Sequence, residues 1–303
     1  MKERRRDGEK RQRGDSHLLT TTPHLRASAS PSFHAKKSLG QNFLADVRVI
    51  ERIVQELRPQ KDETVIEIGP GRGALTTRLV KNAGRLFAIE FDRELIPLLS
   101  KELGGFENFT LIEGDALNAD LCKIIAPDER ARVVGNLPYY ISTAILRRLI
   151  EQRACLREMM LMLQREVVER ITAPPSSSER GFLSVLVQAY CDAEALFDVP
   201  PTAFRPAPKV WSTVVRLRVR RRPAIEVADE NLLWQIVSAG FAQRRKTIFN
   251  NLRSSPAQTR SLLERAGGAG SVLERAGIEA RRRAETLTLD EWGSLTRVLE
   301  VLL

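Results

Sequence analysis

Residues 64–73 read Thr64-Val65-Ile66-Glu67-Ile68-Gly69-Pro70-Gly71-Arg72-Gly73, five residues of strand character running directly into a glycine-rich turn. Beyond the turn, Ala74 to Lys81 has helical spacing and Arg85 to Glu90 is apolar again. A strand, a tight turn and a helix that lead to a second strand make a βαβ unit. In such a unit the glycines let a ligand approach the backbone beside a helix N-terminus, at the carboxyl edge of a parallel sheet. A plain tight turn needs the same glycines, so the turn alone decides little. Its context decides more. Glu90 closes the next strand about 20 residues on, where a carboxylate accepts both hydroxyls of a ribose. Asp115, in Glu113-Gly114-Asp115-Ala116, closes the third strand and is placed to accept from an adenine amino group. Glycines, a Glu and an Asp at three successive strand ends favour an adenosine-containing ligand.

The alternation continues outward. Arg93 to Leu103 reads as a helix, with strands near Phe109 to Glu113, Arg132 to Gly135 and Met159 to Leu163. This is a mostly parallel sheet with helices on both faces, an α/β fold. A loop, Ala173 to Ser178, interrupts it. Ala195 to Val199 and Thr213 to Val219 then read as an antiparallel pair at the sheet edge. After Arg222-Pro223 the strand signals stop, and residues 229–303 look helical. Leu262-Leu263-Glu264-Arg265-Ala266-Gly267 is almost repeated at Val272 to Gly277, which reads as two helix ends capped by Gly. Residues 1–35 mix charge with Ser, Thr and Pro and read as a basic disordered tail. The expected division is that tail, a ligand-binding domain over 36–222, and a helical domain over 223–303.

Composition excludes several chemistries. All three histidines (His17, His24, His34) lie in the first 34 residues, which argues against a Ser-His-Asp hydrolase, a Cys-His protease and a His-ligated metal. Cys122, Cys155 and Cys191 stand more than thirty residues apart, without a Cys-x-x-Cys pair, so free thiols and no metal are expected. No apolar run approaches the roughly 18 residues that span a bilayer, and no signal-peptide core is visible; the cytoplasm is the expected location. The net charge of +10 is unevenly divided. Residues 1–35 carry 8 Lys/Arg against 4 Asp/Glu, residues 36–199 carry 22 against 24, and residues 200–303 carry 18 against 10. Arg216, Arg218, Arg220, Arg221 and Arg222, then Arg244, Arg245 and Lys246, suggest a surface for a polyanion, with solvated helix faces as the equal alternative.

The fourth strand separates a dinucleotide from S-adenosylmethionine. It ends in Gly135-Asn136-Leu137-Pro138-Tyr139-Tyr140. An amino nitrogen conjugated to an aromatic ring is a poor nucleophile because its lone pair is delocalised. A carboxamide oxygen and a backbone carbonyl that accept its hydrogens orient the lone pair toward a sulfonium methyl, while an aromatic ring stacks on the base. Pro138 stiffens the loop that carries these acceptors. No strong general base is needed, which suits a chain so poor in histidine.

Together with Gln41-Asn42-Phe43-Leu44, Glu67 to Gly73, Phe204 to Val210 with Ser212, and Phe241 to Lys246, this segment resembles the motifs of the ribosomal RNA adenine dimethyltransferases, in order from about Lys36 to the C-terminus. The resemblance implies a Rossmann-like class I methyltransferase sheet with an antiparallel edge strand, a small C-terminal helical domain, and S-adenosylmethionine as cofactor. It implies cofactor contacts from Asn42, Leu44, Gly69, Glu90, Asp115 and Asn136, and a target-adenine site from Asn136, the Leu137 carbonyl, Tyr139 and Phe204. Lys36, Lys37, Arg205, Lys209, Arg244, Arg245 and Lys246 are the candidate phosphate contacts. The implied activity is dimethylation at N6 of two adjacent adenines in the 3′-terminal hairpin of 16S rRNA, within the small ribosomal subunit, by a monomer. A large-subunit rRNA methyltransferase, a small-subunit assembly factor and a nucleotide-dependent dehydrogenase stand as rivals.

Overall fold

The computed structural model describes residue 36 and residues 40–302. A two-residue strand, β1 (Phe43–Leu44), precedes α1 (Val47–Leu57), which Asp46 caps by accepting from the Arg48 N–H at 2.9 Å. β2 (Thr64–Ile68) is buried at every position, because a central parallel strand is covered on both faces. α2 (Thr76–Asn82) leads to β3 (Arg85–Glu90), α3 (Ile96–Leu103) to β4 (Phe109–Glu113), and α4 (Leu121–Ile125) to β5 (Ala131–Asn136). α5 (Ser142–Glu151) then leads to β6 (Leu156–Gln164). α3 starts three residues later than the spacing suggests, with Pro97 in its first turn, where the missing N–H is harmless.

α6 (Arg165–Thr172) and α7 (Phe182–Tyr190) follow, then β7 (Cys191–Val199), β8 (Phe204–Arg205) and β9 (Ser212–Val219). The seven-stranded sheet has the order β4-β3-β2-β5-β6-β9-β7. β4 to β6 are parallel, and β9 runs antiparallel to both β6 and β7. The Rossmann-like architecture with an antiparallel edge is therefore as expected, with longer edge strands. β1 and β8 form a separate two-stranded ribbon. The chain order reverses between β2 and β5, so their carboxyl ends diverge and leave a crevice.

After residue 222 the chain is helical: α8 (Glu230–Gly240), α9 (Ile248–Arg253), α10 (Ala257–Arg265), α11 (Gly268–Arg275) and α12 (Leu289–Leu302). Gly267 (φ +91°) and Gly277 (φ +70°) follow the ends of α10 and α11, in the left-handed conformation that glycine adopts without a Cβ penalty. Trp234 of α8 packs on Phe182 and Tyr190 of α7, and Trp292 of α12 is fully buried.

Two sequence expectations change. Cys122 and Cys155, 33 residues apart in sequence, are joined as a disulfide with Cα atoms 5.4 Å apart; spacing along the chain does not report that α4 and the turn before β6 are neighbours. Only Cys191 is a free thiol, and burial pushes its pKa up to about 12. The arginine run on β9 is also not a free cationic surface. Arg216 lies 3.0 Å from Glu56, 3.4 Å from Glu194 and 3.7 Å from Glu158, while Arg218 meets Glu194 and Glu158, and Arg220 meets Asp192. Cross-strand register brings Glu158 of β6 and Asp192 and Glu194 of β7 beside the arginines, and Glu56 comes from α1, so Arg216, Arg218 and Arg220 are neutralised, whereas Arg221 and Arg222 are exposed with no salt bridge among the described residues.

Candidate active site

A cavity of about 480 Å³ lies at the carboxyl ends of β2, β3, β4 and β5. Its floor is the glycine turn after β2. Gly71 takes φ +56°, and a Cβ there would stand 3.0 Å from the Phe43 ring, so the ring of the β1 segment can lie directly on the turn. A Cβ on Gly135 would stand 2.7 Å from the Ile68 carbonyl; a glycine is required where β5 runs beside β2 just before Asn136.

Glu90 closes β3 almost fully buried, and its carboxylate accepts from the Gly71 N–H at 3.1 Å and the Asp92 N–H at 2.8 Å. Burial raises its pKa against the opposing pull of those bonds. Asp115 accepts from the Leu117 N–H at 2.9 Å, which fixes the loop after β4. Glu67 is completely buried beneath the cavity, with Oε2 unpartnered among the described residues. Burial pushes its pKa up to about 8, the Glu90 charge adds to the rise, and the Thr76 hydroxyl opposes it. A ligand with a hydrogen-bonding group at this end of the cavity would answer that orphaned oxygen.

Residues 40–45 form the opposite wall as a strap. It is held at β1 by Phe43 opposite Arg205 and Leu44 opposite Phe204, and by the Ala45 and Asp46 N–H groups donating to the Ala203 carbonyl at 2.8 and 3.1 Å. The Asn136 Nδ2 donates to the Asn42 carbonyl at 3.0 Å, across 94 residues. This bond fixes which end of the carboxamide faces the strap and leaves Oδ1 as the end available to a ligand. In the loop that follows, the Ile141 N–H takes up the Pro138 carbonyl and the Ser142 hydroxyl takes up the Tyr139 carbonyl, leaving the Leu137 carbonyl with no donor among the described residues. Two acceptors thus sit one residue apart.

All six candidate cofactor residues (Asn42, Leu44, Gly69, Glu90, Asp115, Asn136) line this one cavity, and Leu137 and Tyr139 line it too. Phe204 does not. Its antiparallel pairing with Leu44 leaves the side chain fully buried, so it backs the strap and offers no face to a base. Two aromatic residues that period and motif reading did not assign, Phe91 and Tyr140, do line the cavity, each 60% exposed. Their signal was their place directly after Glu90 and Tyr139, at strand ends where a side chain is solvated.

The candidate phosphate contacts divide. Lys36 is ion-paired with Asp92 at 2.7 Å and Glu94 at 3.0 Å, so its charge is compensated inside the protein. Lys37 lies outside the described residues. Arg205 lines the cavity, and Lys209 is exposed in the bend before β9. Arg244, Arg245 and Lys246 are exposed in the turn between α8 and α9, and among the described residues no carboxylate lies within salt-bridge distance of them; Arg244 donates to the Ser178 carbonyl. The described residues also hold no cluster of ligands suited to a metal ion and no helix long and apolar enough to cross a membrane.

A sequence profile of the ribosomal RNA adenine dimethylases matches residues 32–293. The chain belongs to that family. The Ribosomal RNA small subunit methyltransferase A of Clostridium acetobutylicum is 41% identical over 265 residues, 88% of this chain and 94% of its own. The protein of the same name from Bacillus licheniformis is 43% identical over 279 residues, 89% of this chain and 94% of its own. Among solved structures, the 23S rRNA methyltransferase ErmE is similar at 27% identity with a TM-score of 0.64, over 86% of this chain and 100% of that one. A dimethyladenosine transferase from Plasmodium falciparum shares the fold, with a TM-score of 0.72 at 23% identity over 84% and 95% of the two chains. As a ribosomal RNA adenine dimethylase, the chain is an enzyme that transfers methyl groups from S-adenosylmethionine to adenine in ribosomal RNA.

Proposed function

We propose that the substrate is the small ribosomal subunit, and that the enzyme dimethylates N6 of two adjacent adenines in the 3′-terminal hairpin of 16S rRNA, as a cytoplasmic monomer. The observation that carries the site assignment is the bond from Asn136 Nδ2 to the Asn42 carbonyl, which aims Oδ1 into the cavity. The relatives matched at 41% and 43% identity bear small-subunit names, against 27% for the large-subunit enzyme, and this difference supports the choice of subunit.

When bound, the cofactor supplies an electrophilic sulfonium methyl. Glu90 would hold the ribose and Asp115 the adenine amino group; Gly69, Asn42 and Leu44 would pack along the remainder. The target adenine must be unstacked from its hairpin to enter. Its N6 hydrogens would then be held by Asn136 Oδ1 and the Leu137 carbonyl, which turns the lone pair toward the methyl. Tyr139 supplies one stacking face. Positioning and the two fixed acceptors replace a general base, because the N6 hydrogen becomes acidic only as the methyl arrives and its proton then leaves to solvent. Exposed Arg205, Lys209, Arg244, Arg245 and Lys246 would meet phosphates around the hairpin, and the helical region 223–303 would carry the last three of these.

Asn136→Ala tests this reading. Transfer to unmodified small subunits should fall at least a hundredfold while S-adenosylmethionine binding weakens far less; undiminished transfer would refute the role of Asn136.

A further inference from the structure

We infer that Asp92 is a positioning residue for the cofactor: it clasps the strap of residues 40–46 across the cavity and so sets how long the cofactor and its demethylated product stay bound. This rests on the reading that the cavity holds the cofactor. Asp92 stands two residues beyond Glu90, and its side chain is 5% exposed. Its Oδ1 accepts from Lys36 Nζ at 2.7 Å and from the Glu94 N–H at 3.1 Å, and its Oδ2 accepts from Gln41 Nε2 at 2.7 Å. The ring closes through Gln41 Oε1, which accepts from the Lys36 N–H at 2.9 Å. Turn formation after β3 needs only the bond from Glu94. The other two join segments 51 and 56 residues apart and serve no local structure.

The strap is otherwise lightly held. Its ribbon with β8 is two residues long, and its other hydrogen bonds to distant segments among the described residues are those to the Ala203 carbonyl and from the Asn136 amide. Residues 40–45 are also the wall that carries Asn42 and Leu44. Whatever holds Gln41 therefore holds the cofactor contacts beside it. A nearly buried carboxylate with two charge-assisted or amide donors is a strong fastening. Lys36 is 33% exposed, so the ionic part of the clasp is accessible to salt. This also gives work to Gln41, the motif residue with no assigned contact, and to Lys36, a lysine whose charge is paired within the protein.

The test uses the full chain. Release of tritiated S-adenosylhomocysteine is timed by chase with unlabelled ligand, and hydrogen exchange over residues 40–46 is followed in ligand-free protein. Gln41→Ala leaves the Asp92 turn untouched, and Asp92→Asn keeps an acceptor for the Glu94 N–H. Each should speed release about tenfold, the loss expected for one charge-assisted bond, with a raised KM for S-adenosylmethionine and a smaller change in kcat. The double variant should be no faster than either single one. Added KCl should speed release from the native enzyme and not from Asp92→Asn. Unchanged release and exchange in both variants, or strictly additive effects, would overturn the clasp. Glu90→Gln serves as the control. If it weakens binding while the clasp variants do nothing, the clasp alone fails; if it also leaves binding unchanged, the reading of the cavity fails, and the clasp with it.

Discussion

The Tyr139 hydroxyl, in the loop after β5, lies 2.6 Å from the hydroxyl of Ser212, the fully buried first residue of β9. A residue 73 positions away thus fixes a ring that lines the cavity and that the proposed mechanism stacks on the target base. Ser212→Ala and Tyr139→Phe each remove this bond and keep the ring. Each should lower kcat about fivefold, worth about 1 kcal/mol, with little change in the KM for S-adenosylmethionine. The double variant should match the single ones in a double-mutant cycle; additive losses would show that the two hydroxyls act separately.

Buried Glu67 gives the ligand-free protein a pH dependence. Below its ordinary value of 4.5, folded and unfolded chains both hold the proton; between 4.5 and about 8 the unfolded chain has released it and the folded protein keeps it. Stability contributed by this group therefore falls as pH rises through that window. Glu67→Gln should unfold at higher denaturant than the native protein at pH 8 and nearly together with it at pH 5. The gain is on the order of a few kcal/mol at most. Equal midpoints at both pH values would contradict the raised pKa.

The two arginine-rich runs should behave oppositely. Arg245→Glu with Lys246→Glu should weaken binding to the small subunit and flatten the slope of log affinity against log salt by about two. Arg216→Ala removes a guanidinium 11% exposed among three carboxylates. It should cost about 1–3 kcal/mol of folding stability and leave the salt slope unchanged.

The difference between these runs explains what the sequence carries and what it does not. β2 and β3 were legible because strands covered on both faces read as unbroken apolar runs, and Gly69 to Gly73 stood where a turn at a sheet edge demands glycine. Glu90, Asp115 and Asn136 followed from their places at successive strand ends, and one cavity gathers them. β1 was not legible: two residues have no period, and their partner β8 lies about 160 positions on. The same pairing buries Phe204, which by composition alone looks as able to stack as Tyr139. Charge counting separates neither Lys36 nor Arg216 from Arg245, because a neutralising partner comes from tertiary contact. Cys122 and Cys155 met for the same reason.

Transfer of labelled methyl groups from S-adenosylmethionine to small ribosomal subunits lacking this modification, beside naked large-subunit rRNA, tests the central claim most directly. The account predicts dimethyladenosine at two adjacent positions of the 3′-terminal 16S hairpin, none in the large-subunit RNA, and loss of the label with Asn136→Ala. Incorporation into large-subunit RNA, or tight binding to the small subunit without any incorporation, would contradict it.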